Sequence, residues 1–136
     1  MYSQSHFHST THEVLCISNG RAKLCILSPL PFIPAIFFSK IGETNKTGFG
    51  NEINPGRVAV EVRKGDVVII PAGVGHRLLD DFKTAFEMVG AYPVGKEWDM
   101  CYGQPGEEAS VENIKGVPWF ERDPLYGGQE PILAKE

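Results

Sequence analysis

Apolar residues recur along this chain mainly with a period of two, the spacing that lines one face of a β-strand. In residues 12–18, His-Glu-Val-Leu-Cys-Ile-Ser, the side chains of Glu13, Leu15 and Ile17 share one face and His12 points to the other. Asn19-Gly20 follows, a strong short-range hairpin signal, so a second strand over residues 21–27 is expected to pair back on the first. Residues 57–62 alternate with Val58, Val60 and Val62 on one face. After the turn Lys64-Gly65-Asp66, residues 67–70 (Val-Val-Ile-Ile) are apolar on both faces, which marks a strand buried on both sides. Pro71-Ala72-Gly73-Val74-Gly75 forms a corner leading to His76, residues 84–92 read as another strand, and residues 98–102 as a weaker one. No segment carries the period of an amphipathic helix, and no fixed-length repeat is present.

Two stretches fall outside this pattern. Residues 28–46 begin Ser-Pro-Leu-Pro-Phe-Ile-Pro, and their prolines forbid a helix interior or a central strand. They are expected to form an insertion that is disordered or a surface flap or, through Phe32, Ile33, Ile36, Phe37 and Phe38, a lid or subunit contact. Residues 103–136 are rich in Pro, Gly and Glu and carry Trp119, Phe120, Leu125 and Tyr126 as isolated apolar anchors, as expected of an irregular tail packed over residues 1–102.

The 136 residues amount to one domain, and 42% hydrophobic with 22% charged residues is ordinary for a chain with its own core. Fifteen glycines and ten prolines suit short strands and tight turns, so the expected fold class is all-β. A net charge of −4 without a Lys or Arg cluster argues against nucleic-acid binding. The longest apolar stretch, residues 24–38, is broken by three prolines and falls short of the roughly 20 residues of a membrane span. Three cysteines, none in a C-x-x-C pair, and an N-terminus without a basic, apolar leader point to a reducing, cytoplasmic setting. Cys16 and Cys25 read as small buried apolar groups.

The candidate chemistry lies in two motifs. One is His6-x-His8-x4-Glu13-x6-Gly20, the other Gly65-x5-Pro71-x-Gly73-x2-His76-x3-Asp80. On an extended chain His6 and His8 project from the same face, Glu13 points inward from the next strand, and His76 arrives from a third. Three imidazoles and a carboxylate suit a borderline divalent transition metal. His12 is expected to be structural, Trp98 and Asp99 a packing ring and a capping carboxylate, and Phe86 and Met88 core residues able to line a cavity. Neither motif fixes a catalytic acid or base, and the face of Glu87 stays open.

Both motifs resemble the two signature motifs of the cupin superfamily, and residues 8–15, 65–76, 89–93 and 123–127 resemble a group of small single-domain cupins, largely uncharacterised. The resemblance implies a small β-barrel, the double-stranded β-helix. It also implies a metal, Fe, Mn, Zn or Ni, held by His6, His8, Glu13 and His76. Its expected function is that of a metal-dependent enzyme acting on a small organic molecule, of dioxygenase, isomerase or decarboxylase type. The alternative is a non-catalytic cupin that binds or senses a metabolite or metal. Only five residues precede His6, where members carry one or two strands, so the first sheet is expected to lack its first strand or strands. Exposed sheet edges favour covering by a partner, and a homodimer is expected.

Overall fold

In the computed structural model, residues 1–27, 38–39 and 57–128 are described. Their strands are β1 (Glu13–Asn19), β2 (Arg21–Leu27), β3 (Phe38–Ser39), β4 (Arg57–Arg63), β5 (Val67–Ile70), β6 (Gly75–Asp80) and β7 (Glu87–Ala91), followed by one helix, α1 (Glu108–Ile114). They form two antiparallel sheets, ordered β3-β5-β1-β7 and β4-β2-β6. The all-β expectation holds. Apart from β3, the expected insertion at 28–46 lies outside the described residues.

The alternation seen in the sequence sets what each strand buries. Leu15 and Ile17 of β1, Ala22, Leu24 and Ile26 of β2, Val60 and Val62 of β4, and Val68 and Ile70 of β5 meet in one core between the sheets. The opposite faces of β1 and β5 bury Val14 and Ile69 in a second cluster, where Phe120 and Leu125 pack on them. The chain after residue 103 thus covers the outer face of the four-stranded sheet, which is why β5 is apolar on both sides.

Two expectations need correction. β1 and β2 do not pair as a hairpin: β1 pairs with β5 and β7, and β2 with β4 and β6. Asn19-Gly20 is instead a corner that carries the chain from one sheet to the other. Gly20 adopts φ +68°, and a Cβ there would lie 2.6 Å from the Thr84 carbonyl oxygen. Thr84 Oγ1 accepts the Arg21 N–H (2.9 Å), holding the corner shut. The second correction concerns closure. Among the described residues the two sheets are not joined into a barrel, and the links near the site are isolated bridges, His6 with His76 and Phe7 with Cys101. Closure needs a continuous ladder around the whole ring of strands, which single bridges do not supply.

Two elements are shorter than their pattern. β7 begins at Glu87 rather than residue 84 because Phe82, Lys83 and Ala85 take left-handed backbone conformations in a tight turn capped by Asp80 and Asp81. Within 98–102, Cys101 makes a single bridge. The helix α1 had no signature in the sequence because none of its residues is buried. Its Ile114 reaches Gly73, where a Cβ would come within 2.9 Å of the isoleucine side chain. Among the described residues no helix is long and apolar enough to cross a membrane.

Candidate metal centre

His6 and His8 lie on an extended segment docked beside the start of β6. The His6 N–H donates to the His76 carbonyl (3.2 Å) and the His76 N–H donates back to His6 (2.9 Å). This pairing puts His6 and His76 side by side, with ring centroids 4.3 Å apart, and His8 lies 5.5 Å from each. His76 follows the Pro71–Gly75 corner, whose backbone is tied to the same segment by the Gly73 N–H donating to the His8 carbonyl (2.8 Å). One ligand atom from each imidazole lies within 4.8 Å of the others, and all three side chains are buried.

The rings are oriented by the backbone. Nδ1 of His6 faces the Gln4 carbonyl (3.0 Å), Nδ1 of His76 the Val74 carbonyl (3.1 Å), and Nδ1 of His8 the Asp99 carbonyl. A carbonyl oxygen only accepts, so each Nδ1 carries its proton and each Nε2 is the ring position left to take a second proton or a metal. That pattern of outer contacts fixes the tautomer of a metal-binding histidine.

Glu13 interrupts the apolar inner face of β1 and brings a carboxylate into this group. Its Oε2 lies 3.2 Å from His8 Nε2 and 3.1 Å from His76 Nε2, while Oε1 accepts from the Tyr92 hydroxyl (2.8 Å). Burial pushes the carboxyl up, but its bonds to His76, His8 and Tyr92 outweigh this and hold it far below the usual carboxylate range. Burial lowers His8, yet Glu13 and the Asp99 carbonyl lift it above its ordinary value. His6 is held below its ordinary value, chiefly by burial. Burial and the bond to Glu13 raise the Tyr92 hydroxyl. A buried carboxylate oxygen between two Nε2 lone pairs is repulsive unless a proton or a cation lies between them. Three imidazole nitrogens and one carboxylate fit a borderline divalent ion and are a poor set for hard cations, which prefer oxygen.

The structure therefore gathers His6, His8 and His76 into one cluster and sets the Glu13 carboxylate against two of them, His8 and His76. His12 faces away, with Nδ1 accepting the Ala72 N–H (2.9 Å) and Nε2 facing the Pro118 carbonyl (3.0 Å). Glu87 is exposed and outside the site. Asp99 does more than cap: its carboxylate accepts from the Ser9 N–H (2.7 Å), the Ser9 hydroxyl and Cys101 Sγ (3.2 Å), while its carbonyl orients His8.

Sequence reasoning missed Tyr92 and Gly90. The signal was there, since Met88, Gly90 and Tyr92 alternate onto one face of the same run. A Cβ on Gly90 would lie 2.6 Å from Glu13 Oε1, so only glycine lets the carboxylate lie against β7. These groups open onto a cavity of about 380 Å³, whose further lining includes Leu15, Met88, Met100, Tyr2 and Trp98. Met88 lines it, whereas Phe86 packs on the core.

The model of the Cupin family matches residues 2–91 of this chain. The chain is also 34% identical over 134 residues to the uncharacterized protein YjlB of Bacillus subtilis (strain 168). That alignment covers 98% of the chain and 65% of the relative, so the chain spans about two thirds of the length of the curated protein it matches. No solved structure matches.

Proposed function

Because the chain belongs to the cupin family, we propose that His6, His8, Glu13 and His76 hold one divalent transition metal, Fe, Mn, Zn or Ni, in a protein that acts on a small organic molecule. The observation that carries this reading is the ring orientation: three backbone carbonyls take the Nδ1 protons of three clustered imidazoles, and the Glu13 carboxylate lies beside Nε2 of His8 and His76. When bound, such an ion supplies Lewis acidity toward a carbonyl, carboxylate or enediol oxygen or, as Fe(II), dioxygen chemistry. The chain's own part is to orient the ligands, to surround them with Leu15, Met88 and Met100, and to hold the Tyr92 hydroxyl proton at Glu13 Oε1. Elemental analysis of untagged protein tests this, with close to one metal equivalent expected. Protein that stays metal-free after reconstitution would sink the proposal.

Dioxygenase, isomerase and decarboxylase chemistry separate on oxygen dependence. Oxygen uptake by Fe-loaded protein with a turned-over compound selects the first, and turnover with Mn or Zn under argon selects the others. A second reading, a cupin that binds or senses a metabolite or metal without turnover, is favoured by one observation. Beyond the four candidate ligands and two tyrosines, the described cavity lining has no lysine, arginine or carboxylate side chain to serve as acid or base. Saturable binding without product formation selects it.

The same proposal includes pairing of two copies and a reducing, cytoplasmic setting. β7 ends its sheet among the described strands with Val89 exposed on it, and all three cysteines are free thiols. Sedimentation showing a monomer at micromolar concentration overturns the dimer.

A further inference from the structure

The cavity beside the histidine cluster has walls that say what it excludes. Apart from Tyr2 and Tyr92 its described lining beyond the four candidate ligands consists of Met1, Leu15, Met88, Gly90, Trp98 and Met100, none of which offers a charged side chain. For a phosphate ester or a second carboxylate the lining beyond the candidate ligands has no cationic side chain, the Met1 ammonium being the one charge its residues carry, and a sugar would bury several hydroxyls with two phenols to satisfy them. The volume, about 380 Å³, has room for a ring-sized molecule.

One wall is flat. Trp98 and Tyr92 lie nearly parallel, 20° between planes with centroids 6.1 Å apart, and Trp98 keeps 49% of its surface exposed. The Trp98 ring is 5.9 Å from that of His8, so a ring resting on the indole is within one ring's width of the histidine cluster. Met88 and Met100 also line the cavity, and thioether sulfur is a favourable neighbour for an aromatic edge. Trp119 is elsewhere, against His12 on the outer face.

We propose that this cavity takes a flat, conjugated ring carrying a single anionic oxygen donor, with the ring stacked on Trp98 and the donor directed to the histidine cluster. The proposal rests on the metal reading for the donor and on Trp98 for the ring. Benzoate and cyclohexanecarboxylate test it, because they share the donor and nearly the size and differ in flatness. Calorimetric titration of zinc-loaded full-length protein is expected to show benzoate binding about fivefold or more tightly. Trp98→Leu should bring the two acids within about twofold of each other at unchanged zinc content, and Trp98→Phe should keep the preference. Equal affinity for both acids, no saturable binding of either, or a preference that survives Trp98→Leu overturns the ring proposal. Zinc content measured on the same samples separates the two readings. Zinc bound with no ring preference leaves the metal reading standing alone. Absence of bound zinc, with a benzoate preference that Trp98→Leu removes, refutes the metal reading and keeps the ring site.

Discussion

His12 and His8 are both buried histidines, four residues apart, and they put the ring to opposite uses, His12 outside the histidine cluster and His8 within it. The outer ring is consumed by the backbone at both nitrogens: Ala72 donates to Nδ1, so Nε2 carries the proton and donates to the Pro118 carbonyl. Trp119 and Phe120 enclose it, with centroids 4.7 and 5.1 Å away. At the inner site each ring gives up only Nδ1, and a carboxylate waits beside the remaining nitrogens of His8 and His76. Burial lowers His12 below its ordinary value with no carboxylate to oppose it, whereas Glu13 reverses that outcome at His8. Burial alone therefore does not distinguish a ligand from a strut. The number of ring nitrogens the backbone leaves over does.

The largest effect that this contrast predicts is at His76. Removing its ring in His76→Ala takes away one of three convergent nitrogens and one of the two histidine partners of Glu13 Oε2. Metal affinity should fall by more than the roughly 10–100-fold that outer contacts are worth, read by competition against a chelator. Wild-type affinity in this variant would remove His76 from the proposed ligand set.

His12→Ala should do the reverse. It strands the buried Ala72 N–H and opens a hole against Trp119 and Phe120, at a cost of roughly 2–3 kcal/mol in unfolding free energy. Denaturant titration measures that loss, and the folded variant should hold wild-type metal. Selective loss of metal with unchanged stability would mean the two faces are not separate in the way described.

Much of this contrast was legible in the chain itself. Strand alternation placed Glu13 with Leu15 and Ile17 and turned His12 away, the His6-x-His8 spacing paired two imidazoles, and the resemblance of the two motifs to those of the cupins added His76 to them. What escaped were relations that no local pattern encodes. Asn19-Gly20 is compatible with a hairpin or a corner, and the choice was made by Thr84, more than sixty residues on, closing over Gly20. No residue of helix α1 is fully buried, so it left no apolar stripe to find. Gly90 and Tyr92 matter because β7 pairs with β1, Leu15 opposite Gly90, which sets them against Glu13.

Gly90→Ala sharpens the comparison by acting on the inner face alone. The added methyl would lie 2.6 Å from Glu13 Oε1, in a backbone conformation that alanine tolerates, so the carboxylate must move. Metal affinity is expected to drop by about 10–100-fold while the denaturation midpoint shifts little, because Gly90 is exposed rather than packed in the core. A variant that unfolds without changing metal affinity would show that Glu13 does not depend on this close approach.

The smallest change is Tyr92→Phe, which keeps the ring on Trp98 and deletes only the hydroxyl that donates to Glu13 Oε1. Tyr92 is half-buried and borders the cavity, so water can reach the freed oxygen and part of the bond's worth is recovered. Oε2, the oxygen between His8 and His76, keeps its place. Metal affinity should therefore fall by about tenfold or less, below the loss in Gly90→Ala, where the whole carboxylate is displaced. A loss in Tyr92→Phe as large as that in His76→Ala would mean that the phenol holds Glu13 in place single-handed, and that the histidines orient the carboxylate far less than their 3.1 and 3.2 Å contacts imply.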